Sequence, residues 1–193
     1  DYSGHGQSAG AFEDGTISAW REDALAAIIA QTEGDLILVG SSMGGWMALL
    51  SMMALPDRVK GLVLIAPAPD FTEKLMWPEF SNEAQAEIME TGIHLRPSDY
   101  GTPYPITRAL IEDGKTWSIL DEPISFNGPV RILQGMQDPD VPWKHAERLV
   151  SAMTSDDLVF HLIKDGDHRL SRPQDIARLK AICEEIAEAV NTS

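Results

Sequence analysis

The stretch Gly40–Gly45 (GSSMGG) stands between an apolar run and a run of residues with helical spacing. It contains a G-x-S-x-G pattern centred on Ser42. In a tight turn from a strand to a helix, the residues two before and two after the serine must be small, and both are glycines here. The pattern predicts a nucleophile elbow, in which the Ser42 hydroxyl projects above a sheet. The N–H of Met43, at the start of the helix, would face a developing oxyanion.

Two other interpretations of this stretch are weaker. A glycine-rich turn between a strand and a helix also occurs in nucleotide-binding folds, but neither G-x-G-x-x-G nor G-x-x-x-x-G-K-[ST] occurs in the sequence. Ser41 is the rival nucleophile, but Met43 rather than a glycine stands two residues after it. Ser42 is therefore the predicted nucleophile.

The rest of the chain shows a regular alternation of apolar runs and helical patterns. Such runs, when they alternate with helices, are typical of parallel strands that are buried on both faces of a sheet. The sequence therefore predicts an α/β fold with a mostly parallel sheet and helices on both faces. The apolar runs occupy residues 35–40, 59–66, 130–134 and 158–163, and the helical patterns include residues 17–30, 143–153 and 173–190.

Residues 69–126 interrupt this alternation. The segment is rich in proline, aromatic residues and methionine, and it contains only two short helical patterns. We interpret it as a cap or lid inserted into an α/β core of residues 1–68 and 127–193, with an apolar lining suited to a pocket. The side chains that suggest this are Met76, Trp77, Pro78, Phe80, Met89, Pro97, Tyr100, Pro103, Tyr104, Pro105 and Trp117.

The composition restricts the classes of partner and the compartment. The 193 residues carry a formal net charge of −15, which disfavours binding to nucleic acid and to anionic membrane surfaces. No apolar run approaches the roughly 20 residues that a membrane-spanning helix needs.

The one cysteine, Cys183, lies on the apolar stripe of the last helical pattern and is interpreted as a packing residue. A chain without disulfides fits a reducing compartment, so we predict a cytoplasmic protein, or a mitochondrial matrix protein if the source is eukaryotic.

A serine hydroxyl needs a base to become a good nucleophile, and five histidines are candidates. His168 directly follows the last apolar run, and the C-terminal ends of strands are where active sites form in open α/β sheets. It also comes late in the chain, after the nucleophile, as the elbow motif requires of its base. His168 is therefore the predicted base, and His145 is the second candidate. The others are His161 in a predicted strand, His94 in the predicted cap and His5 in the opening loop.

The carboxylate that would orient this base should also follow a strand. Asp138 and Asp140 both lie in the loop after the apolar run that ends near Gln134. Either could also be an ordinary turn residue or a helix N-cap. Local spacing does not choose between the two aspartates.

Together, three patterns resemble the α/β-hydrolase superfamily. They are G-x-S-x-G at residues 40–44, G-x-x-D-x-x-V-P at residues 135–142 and the late Asp167-His168 pair. The opening D-x-x-G-H-G-x-S at residues 1–8 is similar to the loop after the fourth strand of that family. The resemblance covers nearly all of residues 1–190 and implies an α/β-hydrolase fold with a helical cap. It also implies that Asp138 is the acid, because the first aspartate of that loop has this role in the family.

A narrower group within the superfamily is also similar to this chain. The mitochondrial palmitoyl-protein thioesterases that also cleave acyl glucuronides, and their bacterial relatives, share short stretches with it. This resemblance implies hydrolysis of small carboxylic esters or acyl thioesters through an acyl-enzyme on Ser42, with no cofactor and no metal. The shared stretches are residues 1–4 (DYSG), 20–21 (WR), 38–46 (LVGSSMGGW), 141–143 (VPW) and 167–169 (DHR).

One departure from the family concerns the beginning of the chain. In the family, the first strands and a second oxyanion donor come from sequence before this opening loop. The resemblance therefore predicts that the sequence is a fragment, or that its beginning is missing, with that second donor before residue 1.

Several alternative functions remain open on the sequence. A C–C bond hydrolase, a peptidase, an acyltransferase or a cofactor-free haloperoxidase-like enzyme would use the same three residues. A ligand-binding or receptor module of the same fold is the alternative that is not an enzyme. A metal site is a further alternative, although its spacing matches no H-E-x-x-H or EF-hand pattern. Its ligands would be Asp138, Asp140, Asp165, Asp167 and His168.

Overall fold

The computed structural model describes residues 1–96 and 103–191. These residues form two compact units. One consists of Asp1–Gln31 with Asp70–Ser118, and the other of Thr32–Pro69 with Ile119–Ser193. The role of residues 69–126 as a cap stays a prediction, and two side chains named for it, Pro97 and Tyr100, lie outside the described residues.

Seven α-helices and six strands are described along the chain, together with a 3₁₀ turn at Phe12–Asp14 and a π-helical turn at Thr72–Met76. The helices are α1 (Ile17–Gln31), α2 (Met43–Ala54), α3 (Trp77–Glu79), α4 (Asn82–Thr91), α5 (Arg108–Thr116), α6 (Trp143–Ala152) and α7 (Pro173–Asn191). The strands are β1 (Leu36–Ser41), β2 (Val59–Ile65), β3 (Ile93–Arg96), β4 (Tyr104–Thr107), β5 (Val130–Gly135) and β6 (Leu158–Ile163).

A parallel sheet forms the centre of the unit that contains residues 32–69 and 119–193. Its four strands lie in the order β1-β2-β5-β6, and all three neighbouring pairs are parallel. The predicted α/β fold with a parallel sheet is therefore confirmed, and the four predicted strands have nearly the predicted bounds. Since all four strands run the same way, the loops that follow them emerge at one edge of the sheet.

Side chains on both faces of the sheet are buried, as the continuous apolar strands require. On one face, Val63 and Ile65 of β2 join Leu133 of β5 in a cluster with Ile182 and Ile186 of α7. On the other face, the alternate residues of β2 and β5, namely Leu62, Leu64, Val130 and Ile132, are also fully buried. Cys183 packs against the α7 cluster, and burial raises the pKa of its thiol.

The α2 helix is mostly apolar, and protein surrounds all of it except its ends. All eight residues from Gly45 to Met52 are buried. A helix that is apolar on every side belongs in a core. The residue that precedes α2 is Ser42, so the candidate nucleophile is attached to one of the most buried elements of the chain.

The unit of residues 1–31 and 70–118 combines helices with a small antiparallel hairpin. The α4 helix begins with a cap from the Ser81 hydroxyl, and α5 begins with a cap from the Thr107 hydroxyl. Strands β3 and β4 pair across the hairpin, with Ile93 opposite Thr107. Asp113 accepts hydrogen bonds from the backbone N–H and the hydroxyl of Ser18. These two bonds connect α1 with α5.

Every helix in the described ranges is either too short or too polar to cross a lipid bilayer.

Candidate active site

Ser42 occupies a strained turn between β1 and α2. Its backbone has φ 54° and ψ −123°, a region that a residue with a side chain rarely adopts. Three hydrogen bonds hold it there. The Ser42 N–H donates to the Ile65 carbonyl at 2.9 Å, and the Ser42 carbonyl accepts from the N–H groups of Gly45 at 2.9 Å and Ala68 at 3.1 Å. The turn is therefore fixed by the neighbouring strand as well as by its own sequence.

Gly40 meets a steric requirement of this turn. A β-carbon at Gly40 would clash with the carbonyl oxygen of Gly44, so no larger residue fits without moving the backbone. Met43 is the first residue of α2, and the N–H of a first helical residue has no carbonyl partner within its helix. That N–H and the positive end of the helix dipole are suited to a developing negative charge beside Ser42.

His168 lies between Ser42 and Asp138. Its Nε2 atom is 3.1 Å from the Ser42 Oγ, and its Nδ1 atom is 2.8 Å from the Asp138 Oδ2. With a neutral ring, both contacts are satisfied when Nδ1–H donates to the carboxylate and the serine hydroxyl donates to Nε2. The structure thus brings together the three side chains that the sequence predicts as nucleophile, base and acid, although they come from three separate loops.

The loops that carry Asp138 and His168 are held together by a close backbone approach. The Gln137 N–H donates to the Gly166 carbonyl at 2.9 Å. A β-carbon at Gly135 would clash with the carbonyl oxygens of Gly166 and Asp167. Gly135, which opens the G-x-x-D-x-x-V-P pattern, is therefore required because a side chain there would push the two loops apart.

The Asp138 carboxylate is buried and accepts four hydrogen bonds. Its Oδ1 atom accepts from the N–H groups of Asp140 at 2.9 Å and Val141 at 2.8 Å. Its Oδ2 atom accepts from the Gln134 side-chain amide at 3.0 Å and from His168. Burial raises the pKa of Asp138, but the hydrogen bonds from His168, Val141 and Asp140, together with the charge of His168, outweigh burial and leave that pKa below its ordinary value. The carboxylate is therefore ionised at neutral pH.

The hydrogen bond to Asp138 raises the pKa of His168 above its ordinary value of 6.5, although burial acts in the opposite direction. Negative charge on Asp138, Asp140 and Asp167 contributes to the same increase. Three carboxylates thus stabilise the imidazolium that would form when His168 accepts the proton of Ser42.

The other histidines have different surroundings. His145, the second candidate base, is buried and its Nε2 atom lies 2.7 Å from the Pro69 carbonyl, so that nitrogen is already engaged with the backbone. His94 contacts Glu87, with 2.6 Å between Nδ1 and Oε2, and His5 contacts the Ser3 carbonyl. His161 lies on β6, and burial lowers the pKa of its ring.

The alternative metal site fits the described residues poorly. Asp138, Asp140 and His168 can place three ligand atoms within 4.8 Å of one another. However, both Asp138 oxygens already accept two hydrogen bonds each, so a metal ion would displace the contacts with His168 or Gln134. Two further predicted ligands are engaged elsewhere, because Asp165 pairs with Arg172 and the Asp167 carboxylate accepts from the Leu170 N–H.

Sequence reasoning did not identify Gln134 as part of this site. Its position at the end of an apolar strand gave no functional signal, because a polar residue at the end of a strand is ordinary. Only the contact between its amide and Asp138 reveals the association.

A parallel sheet with a serine at a strand-to-helix turn and a histidine beside it is the arrangement of the α/β-hydrolase class. The chain belongs to the alpha/beta hydrolase family, which residues 1–179 match.

Particular relatives are similar over the whole chain. The human mitochondrial palmitoyl-protein thioesterase ABHD10 is 34% identical over 194 residues, which include 100% of this chain and 63% of the human protein. The chain therefore spans 63% of the length of that relative.

Two solved structures are similar as well. A protein from Agrobacterium vitis S4 is 50% identical, with a TM-score of 0.92 over 96% of this chain and 74% of its own. The mouse alpha/beta hydrolase domain-containing protein 10 is 34% identical, with a TM-score of 0.87 over 97% of this chain and 76% of its own.

Proposed function

We propose that the protein is a serine hydrolase that cleaves carboxylic esters or acyl thioesters through an acyl-enzyme on Ser42. One observation carries this proposal: the His168 ring lies within hydrogen-bond distance of both the Ser42 hydroxyl and the Asp138 carboxylate. Acyl transfer needs a nucleophile, a base that can reach it and an acid that orients the base, and these residues have those properties.

The first half of the reaction forms the acyl-enzyme. His168 takes the proton of Ser42, and the Ser42 oxygen attacks the acyl carbonyl carbon. The Met43 N–H, at the start of α2, donates to the resulting oxyanion. The tetrahedral intermediate collapses as His168 protonates the departing alcohol or thiol.

The second half returns the enzyme to its starting state. His168 takes a proton from water, the water oxygen attacks the acyl carbon, and the Ser42 oxygen leaves and recovers its proton from His168. Asp138 stays ionised throughout and stabilises the imidazolium in both halves.

The choice of ester and thioester substrates is supported by the relatives. The human relative is named a palmitoyl-protein thioesterase, and it is similar to this chain from end to end. None of the relatives described above favours C–C hydrolysis, acyl transfer to another acceptor or haloperoxidase chemistry.

We further propose that residues 69–126 act as a cap that selects the acyl group, which is supported by their aromatic and methionine side chains.

The compartment stays a proposal. The sequence predicts the cytoplasm, whereas the name of the human relative favours the mitochondrial alternative.

The test is an assay of the protein with p-nitrophenyl esters and acyl thioesters of increasing chain length, together with a fluorophosphonate that traps active serines. We expect turnover of both substrate series and a single phosphonate on the peptide that contains Ser42. A folded protein that hydrolyses none of these substrates and remains unlabelled would contradict the proposal. Labelling confined to another residue would contradict the assignment of Ser42.

The activity should be lost in mild acid. Only neutral His168 can accept the proton of Ser42, and Asp138 raises the pKa of that histidine. We therefore expect kcat/KM to fall by about tenfold per pH unit below an apparent pKa that lies above 6.5, the ordinary histidine value. The measurement is a pH profile of ester hydrolysis, with tryptophan fluorescence at each pH as a control for unfolding. Activity that stays constant down to pH values well below 6.5 would show that His168 is not the base.

A further inference from the structure

The Gln134 side chain lies beside the candidate site and is completely buried. It is on β5, next to the end of the strand, and its Nε2 atom faces three oxygen atoms. These are the Val141 carbonyl at 2.9 Å, the Asp138 Oδ2 at 3.0 Å and the Gly135 carbonyl at 3.2 Å. An amide therefore connects the strand, the loop after it and the carboxylate of the predicted acid.

The orientation of this amide follows from its neighbours. All three contacts are acceptors, so the nitrogen and not the oxygen must face them. The Gln134 Oε1 atom is buried and has no hydrogen-bond partner among the described residues. An unpaired buried oxygen costs free energy, and an apolar side chain at this position would avoid that cost. Gln134 therefore makes its donor contacts while its own Oε1 atom is left unpaired, which lowers the stability of the folded protein.

We infer that Gln134 acts through the Asp138 carboxylate and lowers the basicity of the Asp138–His168 pair. This inference rests on the proposed function of the site. Gln134 and His168 donate to the same carboxylate oxygen, Oδ2, whereas the backbone N–H groups of Asp140 and Val141 hold the other oxygen. The carboxylate would therefore stay in place without Gln134, but Oδ2 would lose one of its two donors.

A carboxylate oxygen with fewer donors interacts more strongly with the donor that remains. Loss of the Gln134 amide should therefore strengthen the bond from Asp138 to the His168 imidazolium and raise the pKa of His168 further. The other charged groups that act on His168 are Asp140 and Asp167, and the substitution leaves both unchanged. The enzyme without this amide would need a higher pH to keep its base neutral.

The experiment compares Gln134→Met with Gln137→Met. The first substitution removes the donor from a buried side chain of similar length. The second makes the same chemical change on an exposed side chain in the adjacent loop. We expect Gln134→Met to move the acid limb of the kcat profile to higher pH, with a loss on the order of tenfold near pH 6 and a much smaller loss above pH 8. The NMR titration of the His168 ring should move in the same direction, and Gln137→Met should leave both unchanged.

Two results would overturn the inference: an equal loss of kcat at every pH with an unmoved His168 titration, or a His168 titration that moves to lower pH. If Gln134→Met does not fold, the wild-type protein supplies the test. The side-chain amide resonances of Gln134 should then titrate with the same midpoint as the His168 ring, and resonances that do not move with that ring would overturn it. The histidine titration needs no turnover, so failure of this inference is distinguishable from failure of the proposed hydrolase activity.

Discussion

Replacement of Ser42 by alanine is expected to lower kcat/KM for ester hydrolysis by roughly 10⁴- to 10⁶-fold, because no other group can form the acyl-enzyme. The loss should appear in kcat and in fluorophosphonate labelling together, since both reactions begin with attack by the Ser42 oxygen. The residual rate should still exceed that of the buffer, because the Met43 N–H and the binding surface remain. The measurements are steady-state hydrolysis and intact-protein mass after labelling.

The adjacent serine provides a matched control. Ser41 is exposed and ends β1, immediately before Ser42. Ser41→Ala should keep kcat/KM within about twofold of the wild-type value. If Ser41→Ala removes the activity and Ser42→Ala does not, the nucleophile has been assigned to the wrong residue.

A folding control separates the loss of the hydroxyl from damage to the turn. Alanine keeps a β-carbon at φ 54°, so Ser42→Ala should have a Tm close to that of the wild-type protein. Ser42→Gly removes the β-carbon and should raise the free energy of unfolding by about 1 kcal/mol or more, because glycine adopts this backbone conformation without strain. If Ser42→Gly stabilises the protein, the strained backbone at Ser42 costs stability and is kept because the reaction needs the hydroxyl there.

The elbow was predictable because its requirements are local. The clash that a β-carbon at Gly40 would make with the Gly44 carbonyl lies within the same turn, and so does the strained backbone of Ser42. The four strands of the sheet were also predictable, because a strand that is buried on both faces must be apolar at successive positions. Neither conclusion depends on which distant residues pack nearby.

The choice between Asp138 and Asp140 could not be made from local spacing. It depends on how the loop after β5 lies against the loop after β6, which the close approach of Gly135 and Gly166 determines. In the structure Asp138 is buried beside His168, whereas Asp140 is exposed and supplies a backbone N–H. The resemblance to the family had already favoured Asp138, and the geometry is consistent with it.

Two other features depend on burial and pairing that no local pattern reveals. His145 was the second candidate base, but its ring is buried against the Pro69 carbonyl. The β3–β4 hairpin was not predicted, because Pro105 lies within β4, and proline usually argues against a strand. In a hairpin of two strands each strand is an edge, so a proline is accommodated where its missing N–H faces away from the partner.

Replacement of Asp138 by asparagine is expected to lower kcat on the order of 10⁴-fold, and Asp140→Asn should lower it by no more than a few-fold. The asparagine oxygen can still accept from the N–H groups of Asp140 and Val141, so the loop should keep its shape. Its amide nitrogen would then face the position where His168 Nδ1–H now donates. The ring would respond by moving its proton to Nε2, the atom that must accept from Ser42.

The pair of variants separates a change of tautomer from a simple loss of charge. Asp138 and Asp140 are both carboxylates near His168, and both contribute negative charge to it, so each substitution removes one unit of charge. Only Asp138 contacts Nδ1, and therefore only Asp138→Asn can change the tautomer. The measurements are kcat for both variants and the ring nitrogen shifts of His168, which report the protonated nitrogen. Equal losses of kcat would mean that long-range charge, rather than the hydrogen bond from His168 to Asp138, activates the base.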